Sequence, residues 1–237
     1  MKTGNGMSYD DSDSFRWTDI LIGICFFFGL VGLGLFIAVN FRPLYYWSIN
    51  LFDIEQESGL AREVIIENYD TLIDYCCPFH FGELNFPSLK SSVSGLSHFA
   101  EVKTMFIVFY ILGVIGIAVS IAGFISRRKE KIISHFRVCA LTTIIIPTIL
   151  IILSFINFEG IFLFFHKIAF SNEDWIFDPE KDEVINILPE GFFMLCLLVI
   201  AGIVLIGAVT VLVIYLKRKR KSRWGGDLIP KKMNFYY

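Results

Sequence analysis

Charge is scarce in this chain. Asp, Glu, Lys and Arg make up 19% of its 237 residues, against roughly 25% in an ordinary soluble domain. Hydrophobic residues reach 55%, with 25 Phe among them. That balance excludes a disordered chain, which needs low hydrophobicity and high charge. It also argues against a soluble globular domain, whose small core could not hide so much apolar surface. The net charge is −2, so no bulk basicity points to nucleic acid. A Gly-x-Ser-x-Gly nucleophile elbow and a phosphate-binding loop are both missing.

The apolar residues are clustered. Residues 20–39, 105–125, 138–158 and 192–216 form four runs without Lys, Arg, Glu or His. A bilayer core of ~30 Å takes ~20 helical residues, so each run is long enough to span. The charge-free spans offer no proton relay or ion path. Small residues in them (Gly23, Gly29, Gly32, Gly34, Gly116, Ser120, Gly202, Ala208) predict a close-packed bundle. Pro147 predicts a kink in the third span.

The segments between spans fix an orientation. Of 21 Lys and Arg, 15 lie in residues 1–19, 126–137 and 217–237, while 40–104 and 159–191 hold only 6. Basic segments stay in the cytoplasm. The expected layout is a cytoplasmic N-terminus (1–19), an outer segment (40–104), a cytoplasmic loop (126–137), a second outer segment (159–191) and a basic cytoplasmic tail (217–237). The first span does not read as a cleaved signal peptide, because acidic Asp10, Asp11 and Asp13 precede it.

The outer segments read as a small mixed α/β domain. Residues 44–52 are aromatic and β-branched and suggest a strand. Ser58 looks like the N-cap of a helix running from about 59 to 76, which Pro78 ends. Residues 162–178 suggest strand–turn–strand, with Asn172 in the turn. Cysteine adds little. Cys25, Cys139 and Cys196 lie in spans as packing residues. Cys76 and Cys77 are adjacent, where a mutual bond would be a strained ring. Claudin-like and tetraspanin-like four-span proteins staple their outer loops with spaced cysteines, and this chain cannot.

Four histidines remain. His135 reads as a surface residue of the cytoplasmic loop. His80 with Cys76, Cys77 and Glu83 lacks the spacing of a closed zinc site. His98 precedes the second span and His166 follows the third. The short 126–137 loop suggests that these spans are antiparallel neighbours, which brings both imidazoles to the outer interface. Each alone reads as an interfacial aromatic. Together, with Glu101, Asp174 and Asp178 nearby to fix a tautomer, they suit proton transfer near neutral pH.

At these residues the chain resembles a known family. Ser94-Gly95-Leu96-Ser97-His98-Phe99-Ala100-Glu101-Val102-Lys103 is similar to one of its signatures. Phe165-His166-Lys167 with Asn172-Glu173-Asp174-Trp175-Ile176-Phe177-Asp178-Pro179 is similar to a second. Leu188-Pro189-Glu190, Phe192 and Phe193 resemble its entry to the fourth span, and Asn68-Tyr69 with 72–75 match a weaker element. The family is the bacterial lipoprotein intramolecular transacylase. The resemblance implies a multi-pass protein of the bacterial cytoplasmic membrane with its active site at the outer leaflet. Its substrate would be a diacylglyceryl-modified lipoprotein among membrane lipids. The sn-2 acyl chain would move to the α-amine of the N-terminal Cys, giving a lyso-form product without a metal or other cofactor. The family's two essential histidines correspond to His98 and His166. Tyr69, Ser94, Glu101, Asn172, Asp174, Trp175 and Asp178 are the expected supporting residues. The alternatives are a non-enzymatic four-span scaffold with a partner-binding outer domain, and a metal-dependent interface hydrolase.

Overall fold

The computed structural model of the chain describes residues 15–129 and 133–226. The acidic stretch of the N-terminal segment, the middle of the 126–137 loop and the distal basic tail lie outside the described residues. Four long helices dominate: α1 (Trp17–Asn40), α5 (Val93–Lys129), α6 (Ser134–Ile156) and α8 (Glu190–Gly226). Each is long and apolar enough to cross a membrane. Between α1 and α5 lie α2 (Pro43–Leu51), α3 (Ile54–Ser58) and α4 (Arg62–Cys76). Between α6 and α8 lie α7 (Phe158–Ala169) and a 3-10 turn, Glu183–Ile187.

Helix α1 is the hub, packing against α5, α6 and α8, while α6 also packs on α8. Glycine makes the tightest crossing possible. A Cβ on Gly32 would sit 2.6 Å from the Gly113 Cα, and one on Gly116 would sit 2.3 Å from the Cys25 carbonyl oxygen. Backbones this close gain dispersion contacts that lipid cannot supply. At one end of the bundle the buried Asp19 of α1 accepts a hydrogen bond from Ser134 Oγ at 2.7 Å and pairs with Arg127 at 3.5 Å. This ties α1, α5 and α6 together. His135 is also buried there, against Phe124 and Phe136, and is not the surface residue its loop position suggested.

The expected pairing of the second and third spans is corrected. α5 and α6 do not run as closely packed neighbours; α1 makes the extensive contacts with both. Phe124 meets His135 and Phe136 near the connecting loop.

The mixed α/β outer domain is also corrected: among the described residues every regular element is helical. Residues 44–52 are α2, opened by Pro43 at its start, where the missing N–H costs nothing. Its buried residues are Tyr45, Ser48 and Ile49, the spacing of one helix face rather than of a strand. Trp47, which a strand would have placed with Tyr45, is exposed. The first half of the presumed strand–turn–strand is α7. Asn157 accepts a hydrogen bond from Gly160 N at 2.9 Å and so caps α7. The rest is irregular. Ser58 is not an N-cap either; it ends α3, where Gly59 turns left-handed at φ 68°, a conformation glycine adopts freely.

The segments 40–104 and 159–191, expected to face outward, share one core with the bundle. Tyr45, Ile49, Ile65, Tyr69 and Leu72 pack with Phe99 of α5, Val184 and Ile187 of the 3-10 turn, and Phe192 of α8. The Tyr45 hydroxyl donates to the Ile187 carbonyl at 2.7 Å inside this core. Both outer segments are thereby fixed to the ends of α5 and α8.

Candidate active site

His98 lies on a rigid element. Helix α5 has 37 residues, about 55 Å at ~1.5 Å per residue, so it runs well beyond a ~30 Å bilayer core. His98 occupies its first turns. Asp182, itself buried, anchors that end by accepting from Ser92 N at 2.8 Å and from Ser92 Oγ at 2.8 Å. Ser92 Oγ in turn accepts from Gly95 N at 3.0 Å. A carboxylate at a helix start also complements the helix dipole.

His166 arrives by a different route. Asn157 breaks the helix after α6, and α7 packs on both α6 and α8, with Phe162 against Phe193 of α8 at 5.3 Å. That placement brings the His166 ring to 5.9 Å from the His98 ring, centroid to centroid. Both are buried, at 5% and 9% exposure. The cage around them is aromatic. Phe170 lies 4.7 Å from His98 and 5.6 Å from His166. Phe177 lies 5.4 Å from His98, and Trp175 lies 5.1 Å from His166.

The hydrogen bonds define one tautomer. His166 Nδ1 lies 2.8 Å from the Phe162 carbonyl oxygen, an acceptor only, so Nδ1 carries the proton. Nε2 then holds the lone pair. Burial lowers the His166 pKa below its ordinary value of 6.5, opposed by the Phe162 carbonyl. The ring is therefore neutral at pH 7. His98 Nδ1 is buried without a hydrogen-bond partner.

The remaining expected residues divide. Glu101, one turn beyond His98, accepts from Asn172 Nδ2 at 2.7 Å. The Trp175 indole donates to the Asn172 carbonyl at 2.9 Å, and Asn172 Oδ1 accepts from Asp174 N at 3.1 Å. This chain of bonds fixes the loop that lays Trp175 on His166. Asp178 instead pairs with Lys181 at 2.7 Å and accepts from Glu180 N, closing a local turn. Ser94 is exposed at the start of α5, 2.9 Å from Ser92 Oγ. Tyr69 is in the core formed by α2 and α4, stacked on Tyr45 at 3.5 Å, and connects to His166 through the rings of Phe192, Phe193 and Phe162.

An open groove runs along α5 past Ser97, Glu101, Thr104 and Met105, with Phe170 on its other wall. Beyond Met105 the helix exposes Val108, Ile111, Leu112 and Ile115, the apolar surface that lipid would cover. Burial pushes the Cys76 thiol up to about 12, which leaves it protonated and a poor nucleophile. Among the described residues no three His, Cys, Asp or Glu gather as a metal-binding set.

Phe162, Phe170, Ser92 and Asp182 were not among the expected site residues, and Phe177 stood only inside the second signature-like string. Phe162 and His166 are four apart, so the Nδ1–carbonyl bond was legible only once that segment was read as helix. Asp182 and Ser92 are 90 residues apart, and no local signal links them.

Comparison with known proteins adds a family. The family model for lipoprotein intramolecular transacylase Lit matches residues 20–193. The solved structure of the membrane-integral lipoprotein intramolecular transacylase Lit from Bacillus cereus is similar at 34% identity and a TM-score of 0.81, covering 87% of this chain and 98% of that one. Two histidine-substituted forms of that protein also match. The form carrying arginine is 33% identical, with a TM-score of 0.75 over 88% of this chain and 95% of that one. The form carrying alanine is 32% identical, with a TM-score of 0.76 over 87% and 94%. The comparison with curated proteins found no match.

Proposed function

The chain belongs to the lipoprotein intramolecular transacylase family, and from that premise we propose a histidine-catalysed acyl shift within one lipoprotein molecule. The protein is a membrane acyltransferase. Its substrate is a lipoprotein whose N-terminal Cys carries an S-diacylglyceryl group and a free α-amine. The amine nitrogen attacks the carbonyl carbon of the sn-2 ester, the bond to the glycerol oxygen breaks, and an amide forms. The proton lost by nitrogen ends on the glycerol oxygen. The product is the N-acyl, S-monoacylglyceryl lyso-form.

Nucleophile and ester are in the same molecule, so the protein has to fold the substrate rather than form an acyl-enzyme. Such proximity is worth up to ~7–11 kcal/mol. His166 is the base. Its Nε2 lone pair is fixed by the Nδ1 bond to Phe162, and burial keeps the ring neutral. It takes the amine proton and returns it to the departing glycerol oxygen, as general acid–base catalysis requires. His98 supplies an N–H to the oxyanion of the tetrahedral intermediate. The observation that carries this reading is the pair of buried imidazoles 5.9 Å apart, both in contact with Phe170, which also forms one wall of a groove along α5. The acyl chain enters along that groove. The excess of Lys and Arg in 1–19, 126–137 and 217–237 supports cytoplasmic termini and a site at the outer leaflet of the bacterial cytoplasmic membrane.

Mass spectrometry of lipopeptides from a host that makes no lyso-form tests this. With this chain expressed, N-acyl S-monoacylglyceryl peptides should appear. Their absence, with the protein present in the membrane, would sink the reading. A partner-binding scaffold would leave the lipopeptides unchanged.

A further inference from the structure

Glu101 is held by one oxygen only. Oε1 accepts from Asn172 Nδ2 at 2.7 Å. Oε2 is shielded from solvent and has no hydrogen-bond partner. A carboxylate oxygen denied both water and a donor costs folding free energy, and native structures keep few such atoms without a reason. The side chain lies on the wall of the α5 groove, facing the Phe170 wall, and Phe170 also touches the His98 ring. Residues 98 and 101 are one helical turn apart, the spacing that puts two side chains on neighbouring positions. Glu101 therefore lies one helical turn from His98, on the wall of a groove whose opposite wall, Phe170, touches the His98 ring.

The incoming donor has a defined chemistry. An α-amine has a reference pKa of about 8 and arrives at neutral pH mainly as an ammonium. We propose that Glu101 Oε2 is the receptor for the substrate's α-ammonium. It positions the nitrogen beside the histidines and selects lipoproteins whose N-terminus is free; one ammonium proton is lost to solvent before attack, and the second passes through His166 to the glycerol oxygen. This rests on the acyl-shift reading above. Asn172 holds Oε1, which restricts the carboxylate's rotamers and leaves Oε2 as the oxygen without a donor. A charge-assisted hydrogen bond of this kind is short and strong. The same contact rejects a lipoprotein whose amine is already acylated, because its neutral N–H cannot replace an ammonium. Product release follows from the same logic: amide formation removes the charge that held the nitrogen.

The test separates recognition from turnover. Two ether-linked diacylglyceryl lipopeptides, one with a free amine and one N-acetylated, cannot transfer a chain, so their affinities can be measured on the intact protein in nanodiscs. The wild type should bind the free amine roughly tenfold or more tighter, the ratio of one hydrogen bond to a charged group. Glu101→Gln keeps an oxygen for Asn172 and should bind both peptides alike, at the wild-type affinity for the acetylated one. Unchanged preference for the free amine in Glu101→Gln would overturn the proposal, as would a wild type without preference. Loss of affinity for both peptides together would assign Glu101 to holding the groove and would overturn it too. Binding of ether analogues does not depend on catalysis, so failure of the acyl-shift reading shows separately, as wild-type protein that forms no product from the ester substrate.

Discussion

In the proposed acyl shift two imidazoles carry the chemistry, and each does so through its surroundings. His166 has its tautomer set by the Phe162 carbonyl and its charge suppressed by burial. Replacing His98 or His166 by Ala should lower single-turnover acyl transfer by at least ~10²-fold, the scale of general acid–base catalysis, while membrane insertion is unchanged. The pH dependence has a definite sign. A base with a lowered pKa stays neutral to more acidic pH, so the acid limb of the rate should fall below the ordinary 6.5 of histidine. Trp175→Ala admits water to the His166 ring, reduces the desolvation and should move that limb upward; an unmoved or lowered limb would contradict the assignment. Both histidines were legible in the sequence as interfacial residues flanking spans. Their aromatic cage was not, because Phe170 and Phe177 look like any of the 25 Phe until the irregular 170–182 loop is folded over α5.

At the scale of elements, the spans were readable and the outer segments were misread. A run of apolar residues as long as a bilayer admits one regular structure, since lipid satisfies no backbone group. Outer elements have no such constraint. In 44–52 the β-branched and aromatic content favours a strand, but burial of Tyr45, Ser48 and Ile49 against the outer core overrides local preference. The small-residue pattern was likewise only partly diagnostic. Gly32 meets the Gly113 backbone, whereas Gly202 has open space around it. Gly32→Ala should therefore destabilise by about 1–3 kcal/mol through overpacking, and Gly202→Ala should gain up to ~1 kcal/mol from helix propensity. Thermal unfolding in detergent distinguishes them; equal melting temperatures would disprove the crossing. Asp182→Ala removes the acceptor for Ser92 N and Oγ and should cost about 1–2 kcal/mol as a lost cap. Because His98 rides on that helix start, acyl transfer should slow as well.

For the whole molecule, His98 and His166 meet as their places beside the spans suggest, though the second and third spans are not the close neighbours that the short loop between them implies. The short 126–137 loop suggested adjacent second and third spans. The structure places α1 against both, and α7 carries His166 to His98. Helix order in a bundle depends on which surfaces fit, and loop length alone does not determine it. Orientation rests on the distribution of 21 basic residues. A cysteine at the exposed position Ser94, in a background without native cysteines, should react with membrane-impermeant maleimide added to intact cells. Protection there with labelling only after lysis would invert the topology. The direct measurement of catalysis uses purified protein and a diacylglyceryl lipopeptide with an isotopically heavy sn-2 chain, followed by mass spectrometry. Wild-type protein should deliver the heavy chain to the α-amine of the same peptide, and His98→Ala and His166→Ala should leave it on glycerol. Heavy amide formed at the wild-type rate by either variant would contradict the two-histidine account.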